Sequence, residues 1–366
     1  MTAADFTATA TEDLPSLSNL YRMLCYAWKR TDTSTLRAGE TTSFQHVQDL
    51  LAFLLARATK DILRRGIARG YRELTEDLRV PKGKLLAGET MKRQLRPCGR
   101  AACTFDEWET DIPANRILKA ALGQLGASLI ATNPGAAHEL RNLERHFSQV
   151  SSIPLTPSAF RRLIVEPGQR HYDFALEICA FLASSRLPST EAAGRHSFVD
   201  PRTDEQHMGW IFESFVRCYL KLHLSAEHRV LPERRVEWSL NSASPVAQAV
   251  VPGMETDVRI ATPRGLTVVE VKCPRDALAP SRDGKRRLRP AYLYQLHAYV
   301  SHLAQAALGV HRAVLLLGSP TRAFSHRYRM GSIDWLVTNI DLRGPWEDVA
   351  AGVLAVAGDA PEVPLN

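Results

Sequence analysis

Two carboxylates and a lysine stand close together in "VPGMETDVRIATPRGLTVVEVKC", residues 251–273: Asp257, Glu270 and Lys272. The segment "ETDVRI" alternates, which puts Thr256, Val258 and Ile260 on one side of an extended chain and Asp257 and Arg259 on the other. Pro263, Arg264 and Gly265 are turn residues, so the chain is expected to reverse there. The next run, "LTVVEVKC", is apolar enough for a central strand, yet Glu270 and Lys272 interrupt it two residues apart and share a face, roughly 6–7 Å along the strand. Charges in such a strand need a partner. A divalent metal is one candidate: Mg2+ prefers oxygen ligands, keeps several waters, and is usually held by one or two protein carboxylates together with substrate phosphate. It would lower the pKa of a bound water and neutralise charge on a phosphodiester, while Lys272 orients the nucleophile or stabilises the transition state. The plainer alternative is a half-buried hairpin in which Glu270 and Lys272 pair with each other or with Arg259. Spacing alone leaves both open.

The flanks narrow the choice. "YLYQLHAYV" at 292–300 sets Gln295 and Tyr299 four apart, on one helical face. Upstream, "MGWIFESFVRCYL" at 208–220 has the spacing of an amphipathic helix with Ile211, Phe215, Cys218 and Tyr219 inward, and Glu213 lies on it. An acid, a 12-residue gap, Glu-x-Lys and a following helix with Gln-x-x-x-Tyr resembles the PD-(D/E)xK nuclease core. That resemblance implies metal binding by Asp257 and Glu270, a catalytic role for Lys272, and orientation of the site or strand by Gln295 and Tyr299. It also implies Glu213 as a further metal ligand, against the alternative of a solvated or first-turn glutamate.

Four blocks extend the likeness over about nine tenths of the chain. They are "SNLYRMLCYAW" at 18–28, "RRGIARGYRELTEDLRVPKGKLL" at 64–86 with "DIPANRILKAAL" at 111–122, "METDVRI" with "VVEVK", and "YLYQLHAYV". In this order they resemble the McrC family, nuclease subunits of the McrBC modification-dependent (5-methylcytosine) restriction systems. The resemblance implies a cytoplasmic Mg2+-dependent DNA endonuclease that works docked on a McrB-like AAA+ GTPase ring and stimulates its nucleotide hydrolysis. The partner, with its own methylcytosine-reading domain, would select the double-stranded, methylated DNA. Mn2+ suits the same oxygen-rich site. Two departures are visible: Glu270 stands where many relatives carry aspartate, and Cys273, Pro274 and Arg275 replace the aromatic residues that often follow the lysine. A glutamate is one methylene longer and keeps the chemistry. The competing readings are a non-catalytic adaptor that activates the GTPase and clamps DNA, and a stand-alone nuclease with the same core.

These residues need elements to hold them, and 366 residues with 45% hydrophobic content suffice for two cores. The expected architecture is α/β: an N-terminal α+β partner-binding domain over 1–160, then a restriction-endonuclease-like core of mixed sheet flanked by helices over 161–366, with Pro154 and Pro157 marking the linker. Helices are expected at 20–28, 44–66 with a stop at Gly66, 113–130, 135–150 and 172–186, followed by the Glu213 and Gln295 helices and a final helix after 350. Strands are expected at 70–80, 104–109, 228–238, 312–318 and 323–330 besides the central pair. Tyr21, Tyr26 and Trp28 are read as core. The 69–86 segment, read as hairpin-like, is the first candidate for contact with the partner. Residues up to about 14 are read as a disordered tail.

Lys and Arg exceed Asp and Glu by 46 − 39 = 7, and the pI is about 9.2, which favours a polyanionic partner. Arg275, Arg282, Lys285, Arg286, Arg287 and Arg289 crowd into 274–290, where they would meet a phosphate backbone or form a solvated loop. Six cysteines lack paired CxxC spacing and are read as reduced thiols, with Cys25, Cys179 and Cys218 in the core. No start resembles a signal segment, no apolar run nears the roughly 20 residues of a membrane span, and no GxxxxGK[ST] loop is present.

Overall fold

A computed structural model of the chain describes residues 14–32, 35–36, 44–161, 163–188, 196–232, 234–238, 244–305 and 309–358. The expected N-terminal tail and the far C-terminal end lie outside them. The chain forms two compact units, Met1–Phe44 with Asp200–Asn366, and Gln45–Val199. The first is called here the sheet unit and the second the insert. This division differs from the expected boundary at 160/161, and the opening helix explains why.

That helix, α1 (Leu17–Ala27), is N-capped by Ser16, whose side chain accepts from the Asn19 amide. Asn19 is buried and donates from Nδ2 to the carbonyls of Leu342 (2.8 Å) and Gly344 (2.9 Å), far along the sequence. Tyr26 packs its ring on Phe215, Tyr219 and Trp346, with centroids 5.7, 5.0 and 6.0 Å away. Each such buried side chain contributes about 1.5–3 kcal/mol of burial energy, which ties α1 to the sheet unit. Tyr21, Tyr26 and Trp28 are buried, as expected.

The insert holds α2 (Val47–Arg65), β1 (Gly70–Leu78), β2 (Lys84–Leu85), β3 (Ala101–Glu109), α3 (Pro113–Ser128), α4 (Pro134–Arg145) and α5 (Asp173–Ser184). Leu50, Leu51, Leu54 and Leu55 recur at helical spacing on α2 and are fully buried. The helix ends at Gly66, whose φ of 98° suits glycine. β1 and β2 both pair antiparallel with β3 and not with each other, so 69–86 is not a two-strand hairpin. The β1–β3 register runs from Gly70↔Glu109 to Leu78↔Ala101 and leaves β2 only the far edge of β3. The helix expected at 135–150 stops at Arg145 and continues as turns.

The rest of the sheet unit comprises α6 (Glu205–His223), β4 (Arg229–Val230), β5 (Val258–Thr262), β6 (Gly265–Lys272), α7 (Pro290–Gln305), β7 (Val310–Ser319), β8 (Phe324–Met330), β9 (Ile333–Asp341) and α8 (Trp346–Leu354). Six strands form one mixed sheet in the order β8-β9-β7-β6-β5-β4; β6–β7 and β7–β9 are parallel and the others antiparallel. β6 is central and buried on both faces, hence its continuous apolar run. On one face α7 buries Leu296, Tyr299, Val300 and Leu303 against Val268, Leu315 and Val337. On the other, the Phe212 ring of α6 lies where a Cβ at Gly318 would come within 2.5 Å, so this strand position needs glycine for the helix to approach.

Three expectations change. The strand at 228–238 is two short ones, β4 in the main sheet and 235–236 paired with 254–255, because Pro232 interrupts the ladder. β9, with its interrupting Asp334, Thr338 and Asn339, was not anticipated from its pattern. Cys218 is only partly buried; all six cysteines are free, with Cys25 and Cys179 buried.

Candidate active site

The sheet topology creates the site. β6 runs parallel to β7 and delivers Glu270 and Lys272 at its C-terminal end. The antiparallel β5–β6 pairing ends at Val258↔Val269, which brings Asp257 alongside them. Asp257 is fixed there by the Val271 backbone N–H, which donates to Oδ2 at 2.7 Å. Glu270 is 0% exposed. Its Oε1 accepts from Lys272 Nζ, and its buried Oε2 has no hydrogen-bond partner. Lys272 Nζ also lies 3.9 Å from Asp257 Oδ2.

The pairing of Glu270 with Lys272 is therefore real, but it leaves half of a buried carboxylate unsatisfied, which is costly in an interior. Arg259 is not the partner: its Nε donates to Thr256 Oγ1 at 3.0 Å and its Nη2 to the Arg235 carbonyl. Burial pushes the Glu270 carboxyl up to about 8, with Asp257 adding to the effect and Lys272 opposing it. Asp257 is raised too, first by burial, with Lys272 opposing and Glu213 adding. Lys272 holds its proton more tightly than usual: burial works against the charge, and Glu270 and Asp257 outweigh it.

Two residues that the sequence did not single out close the site. Arg234 donates from Nη2 to Glu213 Oε1 at 2.8 Å, stands 4.0 Å from Asp257 Oδ1, and donates from Nε to the Thr256 carbonyl at 3.0 Å. Arg217, four residues along α6, donates to the same Glu213 oxygen at 2.8 Å. Only the i,i+4 spacing of Glu213 and Arg217 was visible beforehand. Glu213 thus reaches the site's charges, but its Oε1 is engaged by two guanidiniums. Among the described residues no three His, Cys, Asp or Glu side chains are grouped to hold a metal ion. Two buried carboxylates, one with an orphaned oxygen, fit a hard divalent cation.

Gln295 donates from Nε2 to the Tyr299 hydroxyl at 2.8 Å. That hydroxyl is raised above its ordinary pKa by burial, with Glu270 and Asp257 adding to the effect. Cys273 is buried and its thiol pushed far up by that burial, which removes it as a nucleophile. The basic segment is ordered by a short paired ladder at 279–280 and 286–287. Within it Arg286 pairs with Asp276, Arg287 with Asp283, and Arg289 with Glu205 at 3.1 Å, while Arg275, Arg282 and Lys285 are exposed.

The "DIPANR" block is a structural clamp in the insert. Asn115 is fully buried, donates to the carbonyls of Ala68 (2.9 Å) and Thr110 (2.7 Å), and accepts from the Tyr172 hydroxyl at 2.7 Å. Tyr172 in turn accepts from the Ala68 N–H at 2.9 Å. Asp111 takes a two-pronged contact from Arg116, both at 2.7 Å, plus two hydrogen bonds from Ser151. Arg116 foremost holds the Asp111 carboxyl well below the usual range.

No helix among the described residues is long and apolar enough to cross a membrane. Among known proteins, the chain is 25% identical over 328 residues to the Type IV methyl-directed restriction enzyme EcoKMcrBC of Escherichia coli (strain K12), covering 90% of this chain and 93% of that protein. A chain in the half-complex of Thermococcus gammatolerans McrB AAA+ hexamers with bound McrC shares the fold, with a TM-score of 0.51 and 16% identity, over 92% of this chain and 75% of that one. The family model for the McrBC 5-methylcytosine restriction system component matches residues 8–316. This chain belongs to that family of McrBC 5-methylcytosine restriction system components.

Proposed function

We propose that the chain is the endonuclease subunit of a 5-methylcytosine-directed restriction complex, built on a PD-(D/E)xK core and hydrolysing DNA phosphodiester bonds with Mg2+. The observation that carries this reading is Glu270: fully buried, one oxygen unpartnered, beside Asp257 and Lys272 at the end of the central strand. Asp257 and Glu270 would hold the Mg2+, and Mn2+ suits the same donors. When bound, the metal supplies Lewis acidity towards the phosphodiester and lowers the pKa of its water.

The chain's own residues do the remaining work. The Val271 N–H holds Asp257 in register with Glu270. Lys272 holds its proton more tightly than usual and, with one donor on Glu270, offers its others to the nucleophile or to a non-bridging phosphate oxygen. Gln295 fixes the Tyr299 hydroxyl beside it. Glu213, acting here as an anchor for Arg217 and Arg234, keeps a guanidinium next to Asp257 for a phosphate.

The family supports a partner. The neighbouring structure is McrC bound to McrB AAA+ hexamers, and the K-12 relative is methyl-directed. The proposal assigns this chain a McrB-like AAA+ GTPase ring that selects methylated double-stranded DNA, that the chain stimulates, and that the insert contacts; the sheet unit is assigned the chemistry.

The test is cleavage of methylated and unmethylated plasmid by the purified chain, with and without its AAA+ partner, Mg2+ and GTP. Cutting that needs every component and is lost in Asp257→Ala and Lys272→Ala is expected. Cutting unchanged in these variants, or GTPase stimulation without any cutting, would leave a non-catalytic adaptor.

A further inference from the structure

At the opposite end of the central strands, two adjoining cavities of about 400 and about 250 Å³ share Arg264 and Arg312. The larger is also lined by Arg327, Arg329 and Asp334, the smaller by His228 and His311. Strand register brings these distant residues together. Arg312 lies across from Asp334 between β7 and β9, and Asp334 across from Arg329 between β9 and β8. Cross-strand partners share a face, so the three side chains form one row over three strands. Arg327 lies two residues along β8 on the same face, roughly 6–7 Å away. Arg264 enters from the β5–β6 turn.

Among the described residues that line the two cavities, four carry guanidiniums and one a carboxylate. Arg312 is built into the floor: it is 8% exposed, and its Nη1 donates to the Gly358 carbonyl at 2.6 Å. Arg264, Arg327 and Arg329 form the exposed rim. The guanidinium fork matches phosphate oxygens bidentately, and an array of cations spaced along strands fits a regularly repeated anion. Seven residue steps of β6 separate Gly265 from Lys272, roughly 23 Å, so one phosphate cannot touch both ends.

We propose that this groove is a second, non-catalytic DNA contact, holding backbone phosphates of a segment other than the one at Asp257 and Glu270. It rests on the reading of the chain as a DNA-acting subunit. The groove would anchor DNA beyond the cut and leave sequence and methylation unread.

The test is fluorescence anisotropy of a labelled duplex titrated with the full chain, without divalent metal, over a salt series. The variants are Arg264→Gln/Arg327→Gln/Arg329→Gln and the charge-keeping triple change to Lys; all three positions are exposed and none is in the catalytic machinery. The Gln variant is expected to bind about tenfold or more weakly at 0.15 M salt, with a log K against log salt slope smaller by about 2–3, since each lost phosphate contact removes about 0.9. The Lys variant should recover most of the slope. If the wild type binds DNA and the Gln variant matches it in affinity and slope, the groove proposal fails alone. Wild-type chain that binds no duplex would sink the DNA reading along with it. Displacement of the duplex by GMP or inorganic phosphate at lower phosphate concentration than unlabelled duplex would assign the groove to a small ligand and overturn the proposal.

Discussion

Two polar clusters, one in each unit, each set a carboxylate against a cation, to opposite ends. In the insert, Asp111, Arg116, Asn115 and Tyr172 satisfy one another and the nearby backbone. In the sheet unit, Asp257, Glu270 and Lys272 are more deeply buried in charge than their contacts can repay, and a Glu270 oxygen stays unpartnered. Both clusters lie in the blocks that first stood out in the sequence. The difference teaches that a saturated network specifies a fold, whereas a buried carboxylate left partly unsatisfied marks a candidate site.

The sharpest way to break this comparison is to delete from each cluster. Lys272→Ala should cut DNA cleavage by the reconstituted complex by about 10³-fold or more, while the free chain still folds and unfolds cooperatively. A large loss of stability with residual cutting would make Lys272 structural. Asn115→Ala should do the reverse, costing about 2–4 kcal/mol in denaturant unfolding because it strands the Tyr172 hydroxyl and two carbonyls. An Asn115 variant as stable as the wild type would mean that the clamp is not one.

Glu270→Gln sharpens the contrast. Replacing a buried, half-satisfied carboxylate with a neutral amide should stabilise the metal-free chain by about 1–2 kcal/mol while abolishing cleavage. The sign of the pH dependence follows. Glu270 is held above its ordinary value, at about 8, so its ionisation opposes folding; metal-free stability should fall as pH rises from about 4.5 through about 8, and Gln should flatten that limb. A wild-type melting profile flat across that window would count against it. Asp111 has the opposite sign, because its folded carboxyl is held low: its contribution is present above the ordinary aspartate range and lost as pH falls through the folded value. Asp111→Asn should remove about 1 kcal/mol of stability at neutral pH, small because solvent still reaches the pair, and should weaken the acid dependence; an unchanged acid limb would reject the assignment.

Much of this was legible in advance. The apolar spacing of Leu50, Leu51, Leu54 and Leu55 gave α2, the Val-rich run gave β6, and the four-residue offset of Gln295 and Tyr299 put both on one helix face. What stayed hidden depended on distant partners. β9 carries Asp334, Thr338 and Asn339, and buried Asn339 is stabilised by Ser319 and the loop at 321–322, which only the fold supplies. Helix α1 reads as part of an N-terminal domain until Asn19 is seen to bond the carbonyls of Leu342 and Gly344.

The sequence by itself determined the chemistry on offer, namely two acids, a lysine and a flanking helix, because residue type and local period are written in neighbouring positions. The tertiary structure alone decided which of these are left unsatisfied. Whether Glu213 meets Arg234, whether Glu270 keeps an empty oxygen, and whether Arg312, Asp334 and Arg329 align in a row depend on burial and strand register, and both are properties of the assembled sheet.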